Sequence, residues 1–219
     1  MNQNVLRAGV LLLASLSNAV GAAVLDLSTD GSNPTPLSFS AGDNVVDVKL
    51  DPSAGADSRF FRFDIGAGYR LTSIQLQAFT FSQIGGNPTA TGVAFFGLKQ
   101  GTTITPSVVD PSAVDGYALL GAPVGTTPIN GVIPTNVGED VFPSLIATGA
   151  FTGTQLPATL GVGSYTVWLR ESRTMDTFSL NFKVAAVPLP GAAWLMGSVL
   201  LGLVGWGNRR SPRSNSVAA

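Results

Sequence analysis

Apolar and polar residues alternate with a period of two along most of this chain, which is typical of β-strands that bury one face. The clearest alternation lies at residues 165–170 and 177–184, on either side of a short turn at 173–176. Its apolar positions are Tyr165, Val167, Leu169, Phe178, Leu180, Phe182 and Val184. We interpret the two segments as an antiparallel hairpin that buries one face.

Further strands are indicated earlier in the chain. Apolar or alternating runs occupy residues 24–27, 37–39, 45–50, 60–65, 71–81, 93–98 and 117–120. Between Leu76 and Phe79 the apolar parity switches, which predicts a β-bulge or a strand buried on both faces. No part of the body repeats apolar residues at helical spacing over three turns, and 26 Gly and 14 Pro residues punctuate the chain. The predicted fold is all-β: an antiparallel, jelly-roll-like β-sandwich of about eight strands over residues 24–184.

Residues 1–23 have the three parts of a secretory signal peptide. A polar start with one positive charge precedes an apolar core over 8–16, and small residues follow at 19–23. We expect cleavage after Ala22 or Ala23. The alternative is a buried N-terminal helix, but the apolar core lacks the polar face that such a helix would present to solvent.

A second apolar segment occupies residues 185–210. No charged residue lies between Lys183 and Arg209. A helix over 188–207 would be about 30 Å long at about 1.5 Å per residue, which just spans a bilayer. Aromatic residues stand near both of its ends, and a basic pair, Arg209 and Arg210, follows as at a cytoplasmic boundary. The pattern predicts one transmembrane helix with the N-terminus outside.

A proline motif opens this segment, and an aromatic residue and the basic pair follow it: Val187, Pro188, Leu189, Pro190, Trp194, Arg209 and Arg210. The order of these parts resembles the PEP-CTERM sorting signal of Gram-negative bacteria, in its Val-Pro-Leu-Pro variant. The resemblance implies that exosortase, a membrane cysteine protease-transpeptidase, recognises the tail and cuts near the proline motif. It also implies a role beside exopolysaccharide in biofilms. Residues 211–219 would form a short cytoplasmic tail, and a plain single-pass anchor is the alternative.

The composition excludes several classes of site. The chain has no Cys and no His, which excludes disulfides, thiolate metal sites, a cysteine nucleophile and a Ser-His-Asp triad. Between residues 24 and 183, eight Lys and Arg stand against 13 Asp and Glu, a net charge of −5. We therefore expect no nucleic acid partner, because phosphate binding needs clustered basic residues.

Carboxylates are the chemical groups that remain. The candidates for a glycosidase-like pair are Asp43, Asp47, Asp51, Asp57 and Asp64. Asp residues in turns usually bond their own backbone, so we expect no catalytic residue and no enzyme. Calcium is the more specific hypothesis, because it takes oxygen ligands. Its candidate ligands are Asp57, Glu139 and Asp140, with ordinary solvated turns as the alternative.

Trp168 is the sole Trp of the body and the candidate for ligand binding. Its parity is opposite to that of the apolar row at 165–169, so an exposed, sugar-binding position is one hypothesis. The other is that Trp168 packs in a sandwich core with both faces partly covered. We favour the packing interpretation.

Residues 57–71 and 160–168 resemble the bacterial pre-peptidase C-terminal type of β-sandwich. In that family an acidic residue precedes an aromatic strand, as Asp57 does here, and a Leu-x-x-Gly-x-Tyr turn opens a late strand, as residues 160–165 do. The resemblance implies a fold and carries no activity.

These observations together predict an exported, non-enzymatic surface or extracellular-matrix protein. Its expected partners are exosortase, the inner membrane during transit, and exopolysaccharide. Its expected location is the cell envelope or the extracellular matrix after C-terminal processing. The alternatives are a calcium-dependent carbohydrate-binding or carbohydrate-active protein and a plain membrane-anchored binding domain.

Overall fold

The computed structural model describes residues 24–84, 92–105, 113–121, 133–148, 156–157, 159–188 and 198–199. The strands are β1 (Thr35–Leu37), β2 (Gly42–Leu50), β3 (Asp57–Ile65), β4 (Tyr69–Gln83), β5 (Ala94–Gln100), β6 (Gly116–Leu120), β7 (Gly163–Glu171) and β8 (Thr174–Ala186). One α-helix, α1 (Phe142–Thr148), and a 3-10 turn (Pro52–Ala54) lie between them.

The strands form two sheets, as the all-β prediction requires. One sheet has five strands in the order β1-β3-β7-β5-β6, and the other has three in the order β2-β8-β4. All neighbouring strands are antiparallel except β1 and β3, which run parallel. The prediction of an entirely antiparallel arrangement is therefore wrong at one edge of the larger sheet.

The main core lies where the two sheets face each other. Alternate residues of β3 and β8 point into it, among them Phe61, Phe63 and Phe182, which are fully buried. The ring of Phe182 lies 5.5 Å from that of Phe63 and 5.8 Å from that of Phe61, centroid to centroid, so the aromatic residues interlock across the sheets. Each such side chain contributes about 1.5–3 kcal/mol to folding through burial.

The predicted hairpin between the last two strands is wrong. β7 pairs with β3 and β5, whereas β8 pairs with β2 and β4 in the other sheet. The chain therefore crosses between the sheets at a two-residue corner, Ser172 and Arg173. The carboxylate of Glu171 accepts hydrogen bonds from the backbone N–H groups of Ser172, Arg173 and Thr174, at 2.8, 2.7 and 3.3 Å. These bonds replace the ladder bonds that a hairpin would have made.

The predicted irregularity in the long fourth strand is confirmed. The pairing of β4 with β8 shifts register between Leu71 and Ser73 and again between Leu76 and Ala78. Leu71 and Leu76 are buried, and Phe79, beyond the second shift, packs against the main core. The outer edge of β4 bonds to residues 138–141 and to Leu160, which cover that part of the edge.

The predicted strand at 24–27 does not form. The N–H of Leu25 donates to the carbonyl of Asp47 in β2, and the carbonyl of Ser28 accepts from Phe60 in β3. Because β2 and β3 belong to different sheets, this segment passes from one to the other and pairs fully with neither. Leu27 is buried in the main core between them.

The body extends slightly further than the predicted boundary at residue 184. β8 runs to Ala186, and the N–H of Val187 donates to the carbonyl of Gly68 at 2.7 Å. Within the described residues there is no helix of sufficient length and hydropathy to cross a membrane. The predicted signal peptide, and the predicted membrane helix apart from Pro188, Ser198 and Val199, lie outside those residues.

Candidate functional site

Asp57, the first calcium candidate, is a structural residue at the start of β3. Its carboxylate accepts hydrogen bonds from Nε of Arg59 at 2.9 Å and from the backbone N–H of Asp51 at 2.8 Å. Arg59 in turn donates to the carbonyl of Leu27 at 3.1 Å. The side chain of Asp57 therefore joins the N-terminal segment to the end of β2.

Glu139 and Asp140 lie elsewhere, beside the middle of β4. Glu139 accepts a hydrogen bond from the backbone N–H of Asn136 at 2.8 Å and closes its own turn. Asp140 accepts from the backbone N–H groups of Ile74 and Phe142, both at 2.9 Å, so it fastens the start of α1 to β4. The three calcium candidates are therefore not brought together.

The described residues include no group of three or more Asp and Glu that could hold a metal ion. The remaining aspartates considered for catalysis each bond to a nearby group. Asp43 accepts from Asn181, Asp47 from Ser179, Asp51 from the N–H of Ser53, and Asp64 from Ser164. The hydrogen bonds of Ser53 lower the pKa of Asp51, which keeps that exposed carboxyl ionised. Asp64 is the one of these aspartates that lines the described cleft beside β8.

Trp168 is only 3% exposed, which confirms the packing interpretation. It lies in a second hydrophobic cluster, on the outer face of the five-stranded sheet, with Phe60, Ile104 and Val114. Its ring meets that of Phe95 edge-on, with 4.9 Å between the centroids, and its Nε1 donates to the hydroxyl of Ser58 at 3.3 Å. The middle of β7 is therefore covered on both faces, as the burial of residues 165–169 shows.

A shallow cleft of about 260 Å³ lies at the end of the sandwich where β8 finishes. Its lining residues are Phe39, Ser40, Ala41, Asp64, Ile65, Gly66, Tyr69 and Val184. Tyr69 is 40% exposed, and Asp64 is the one charged residue of the lining. The sequence does not indicate this cleft, because its walls come from three separate segments of the chain.

The tail leaves the body beside the same cleft. Val187 is 44% exposed and Pro188 is also exposed, one residue after the last backbone bond of the domain. The other predicted sorting residues, and the predicted signal cleavage site, lie outside the described residues: Leu189, Pro190, Trp194, Arg209, Arg210, Ala22 and Ala23.

One buried carboxyl also escaped the sequence analysis. Asp176 is fully buried, and both of its oxygens are without a hydrogen-bond partner among the described residues. The sequence analysis assigned it to a turn, although it shares the parity of the buried row that contains Phe178 and Leu180. That parity was the available signal.

No protein-family model, no curated protein and no solved structure matches this chain significantly.

Proposed function

We propose that this chain is an exported, non-enzymatic surface or extracellular-matrix protein, sorted by an exosortase signal and associated with exopolysaccharide. Residues 1–23 would direct export, and residues 185–210 would hold the protein at the inner membrane until the tail is processed. Residues 24–184 would then remain in the cell envelope or the matrix as a folded β-sandwich.

The exposed position of Val187 and Pro188 is the observation that carries this proposal. The N–H of Val187 donates to the carbonyl of Gly68, and Pro188, the residue after it, is exposed and belongs to no strand. A protease that cuts at the proline motif would need an accessible segment there. Because β8 ends at Ala186, such a cut would leave the main core and both sheets intact.

The C-terminal mass of the mature protein tests this proposal. The full chain would be expressed in a Gram-negative host with and without exosortase, and the product isolated from membranes and medium. We expect loss of the residues after the proline motif only when exosortase is present. The variant with Pro188→Ala and Pro190→Ala should keep its tail, whereas Pro36→Ala, at an exposed proline on the edge strand β1, should be processed normally. A tail intact through Arg210 in cells that contain exosortase would contradict the proposal.

A second candidate function, carbohydrate binding, is favoured by the cleft beside β8. A half-exposed aromatic ring beside a carboxylate is the combination that sugar sites use, because the ring packs against a pyranose face and the oxygens accept hydroxyl hydrogen bonds. Tyr69 and Asp64 supply both groups. The soluble body would be tested on a glycan array and in hydrolase screens, with and without calcium.

The expected result is retention of a glycan by the body without hydrolysis. Tyr69→Ala should abolish that retention, whereas Phe81→Ala, which removes a similarly exposed aromatic residue from another part of β4, should preserve it. Equal loss in both variants, or no retention by the original chain, would remove this candidate. Retention that requires calcium would favour the calcium-dependent alternative.

A further inference from the structure

Asp176 occupies a position that is unfavourable for a charge. It lies on β8, the central strand of the three-stranded sheet, directly between Leu50 of β2 and Phe81 of β4. Its side chain points toward the other sheet and is completely buried. An ionised carboxylate in such a site costs several kcal/mol unless hydrogen bonds or an opposite charge compensate for the lost hydration.

The described surroundings supply neither form of compensation. No ion pair joins Asp176 to a basic residue in the described part of the chain, and both carboxyl oxygens lack hydrogen-bond partners there. The buried hydroxyl of Thr174 is similarly without a partner.

Several charged groups at this end of the sandwich are in ion pairs of their own. Asp57 on β3 is paired with Arg59, and Lys49 and Asp51 pair with each other at the end of β2. Glu171 on β7 is different, because its negative charge acts on Asp176 and opposes a second negative charge.

These conditions favour the neutral acid. Burial first, and then the charge of Glu171, raise the pKa of Asp176 to about 7. The Thr174 hydroxyl, which acts in the opposite direction, does not reach hydrogen-bond geometry. An unfolded Asp has a pKa of about 3.8. Between these two values the folded chain holds a proton that the unfolded chain has released.

We propose that Asp176 is a neutral carboxylic acid in the folded domain, and that its ionisation beside Glu171 makes the corner between β7 and β8 a pH-sensitive element. Protonated, Asp176 is compatible with the apolar interior. Ionised, it places a second negative charge between the sheets, next to the carboxylate that holds the corner. The domain therefore loses stability as the pH rises.

The sign and size of the effect follow from proton binding. Below about pH 4 both states hold the proton, and Asp176 leaves stability unchanged. Stability then falls as the pH rises toward 7 and levels off above it. The equilibrium constant for folding should fall by roughly three powers of ten over this range, about 4 kcal/mol at 1.36 kcal/mol per pKa unit.

Urea unfolding of the body at pH 4.5 and at pH 8 tests the proposal. Asp176→Asn keeps the shape of the side chain but is never charged, so it should be close to the original chain at pH 4.5 and clearly more stable at pH 8. Asp26→Asn, whose side chain is fully exposed, is the control and should leave the difference in stability between the two pH values unchanged. An Asn variant that is less stable than the original chain by the same amount at both pH values would overturn the proposal.

Two further measurements keep the test decisive if the variant folds poorly. The side-chain carboxyl carbon of Asp176, followed by NMR in the original chain, should titrate near neutral pH. Titration below pH 5 would show an ionised, partnered group and would overturn the proposal. Calcium at millimolar concentration should leave the unfolding midpoint at pH 8 unchanged. A calcium-dependent rise that Asp176→Asn abolishes would identify a cation ligand and would equally overturn the assignment of a proton.

Discussion

The corner between β7 and β8 offers the most direct test of how this fold is held together. One oxygen of Glu171 accepts three backbone N–H groups in the two-residue crossing and the first residue of β8, and the side chain is only 7% exposed. Glu171→Ala removes this acceptor. The three donors then lose their partner at the point where the chain passes between the sheets.

The magnitude follows from the geometry. A hydrogen bond to a charged group contributes about 1.5–3 kcal/mol, but the three bonds share one oxygen and the longest is 3.3 Å, so they do not add fully. We expect Glu171→Ala to lower the free energy of unfolding by about 2–4 kcal/mol. In a domain of this size, this corresponds to a fall in Tm of roughly 4–16 °C.

The assay is urea unfolding at pH 5, where Asp176 is neutral and removal of the Glu171 charge does not relieve repulsion between the two. Glu171→Gln is the matched variant, because its amide oxygen remains an acceptor without the charge, and it should lose about half as much. A change below about 0.5 kcal/mol for Glu171→Ala would refute the reasoning and show that the sheets alone hold the corner.

Three further predictions concern single contacts and use the same unfolding assay. Gly97→Ala should cost about 1–3 kcal/mol, because its new Cβ would lie 2.8 Å from Cγ1 of Val114, whereas Gly66→Ala, which meets no atom within 4 Å, should be nearly neutral. Asp140→Ala should lower the free energy of unfolding by about 1–3 kcal/mol, because it removes the acceptor of two backbone N–H groups. An equal loss on Asp26→Ala, at a fully exposed side chain, would contradict this. Tyr165→Phe should cost about 0.5–1.5 kcal/mol through loss of the bond from its hydroxyl to the carbonyl of Gly161, and an unchanged unfolding midpoint would show that this bond contributes nothing.

The sequence alone located most of the strands and their buried faces. The pattern predicts nine strand segments, including the two of the supposed hairpin. Eight of the nine fall on observed strands, and the irregularity predicted near Leu76 is present. The strand prediction succeeded because the period-two pattern is local: the polarity of each side chain indicates which side of its own strand faces the core. The alternation alone would place Trp168 opposite the buried row at 165–169, and its burial depends on a second cluster on the other face of the sheet.

The candidate sites were less predictable from sequence. The carboxylates of Asp57, Glu139 and Asp140 have the chemistry that calcium requires, but each bonds to backbone or basic groups whose proximity depends on the folded chain. The cleft that contains Tyr69 is formed by segments that are separate in sequence. The prediction of the sorting residues differs from these, because it rests on the order of short motifs in the sequence and not on contacts in the folded chain.

The sequence by itself therefore determined the all-β class and the inward faces of β7 and β8, and it carries the motifs on which the predictions for the two chain ends rest. Only the tertiary structure decided which strands pair, that β7 and β8 lie in different sheets, and that Asp176 is buried without a hydrogen-bond partner among the described residues. The physical reason is that inward and outward alternation is identical in a hairpin and in a chain that crosses between sheets. The distinction depends on backbone hydrogen bonds to strands that are distant in sequence, and no local pattern encodes those partners.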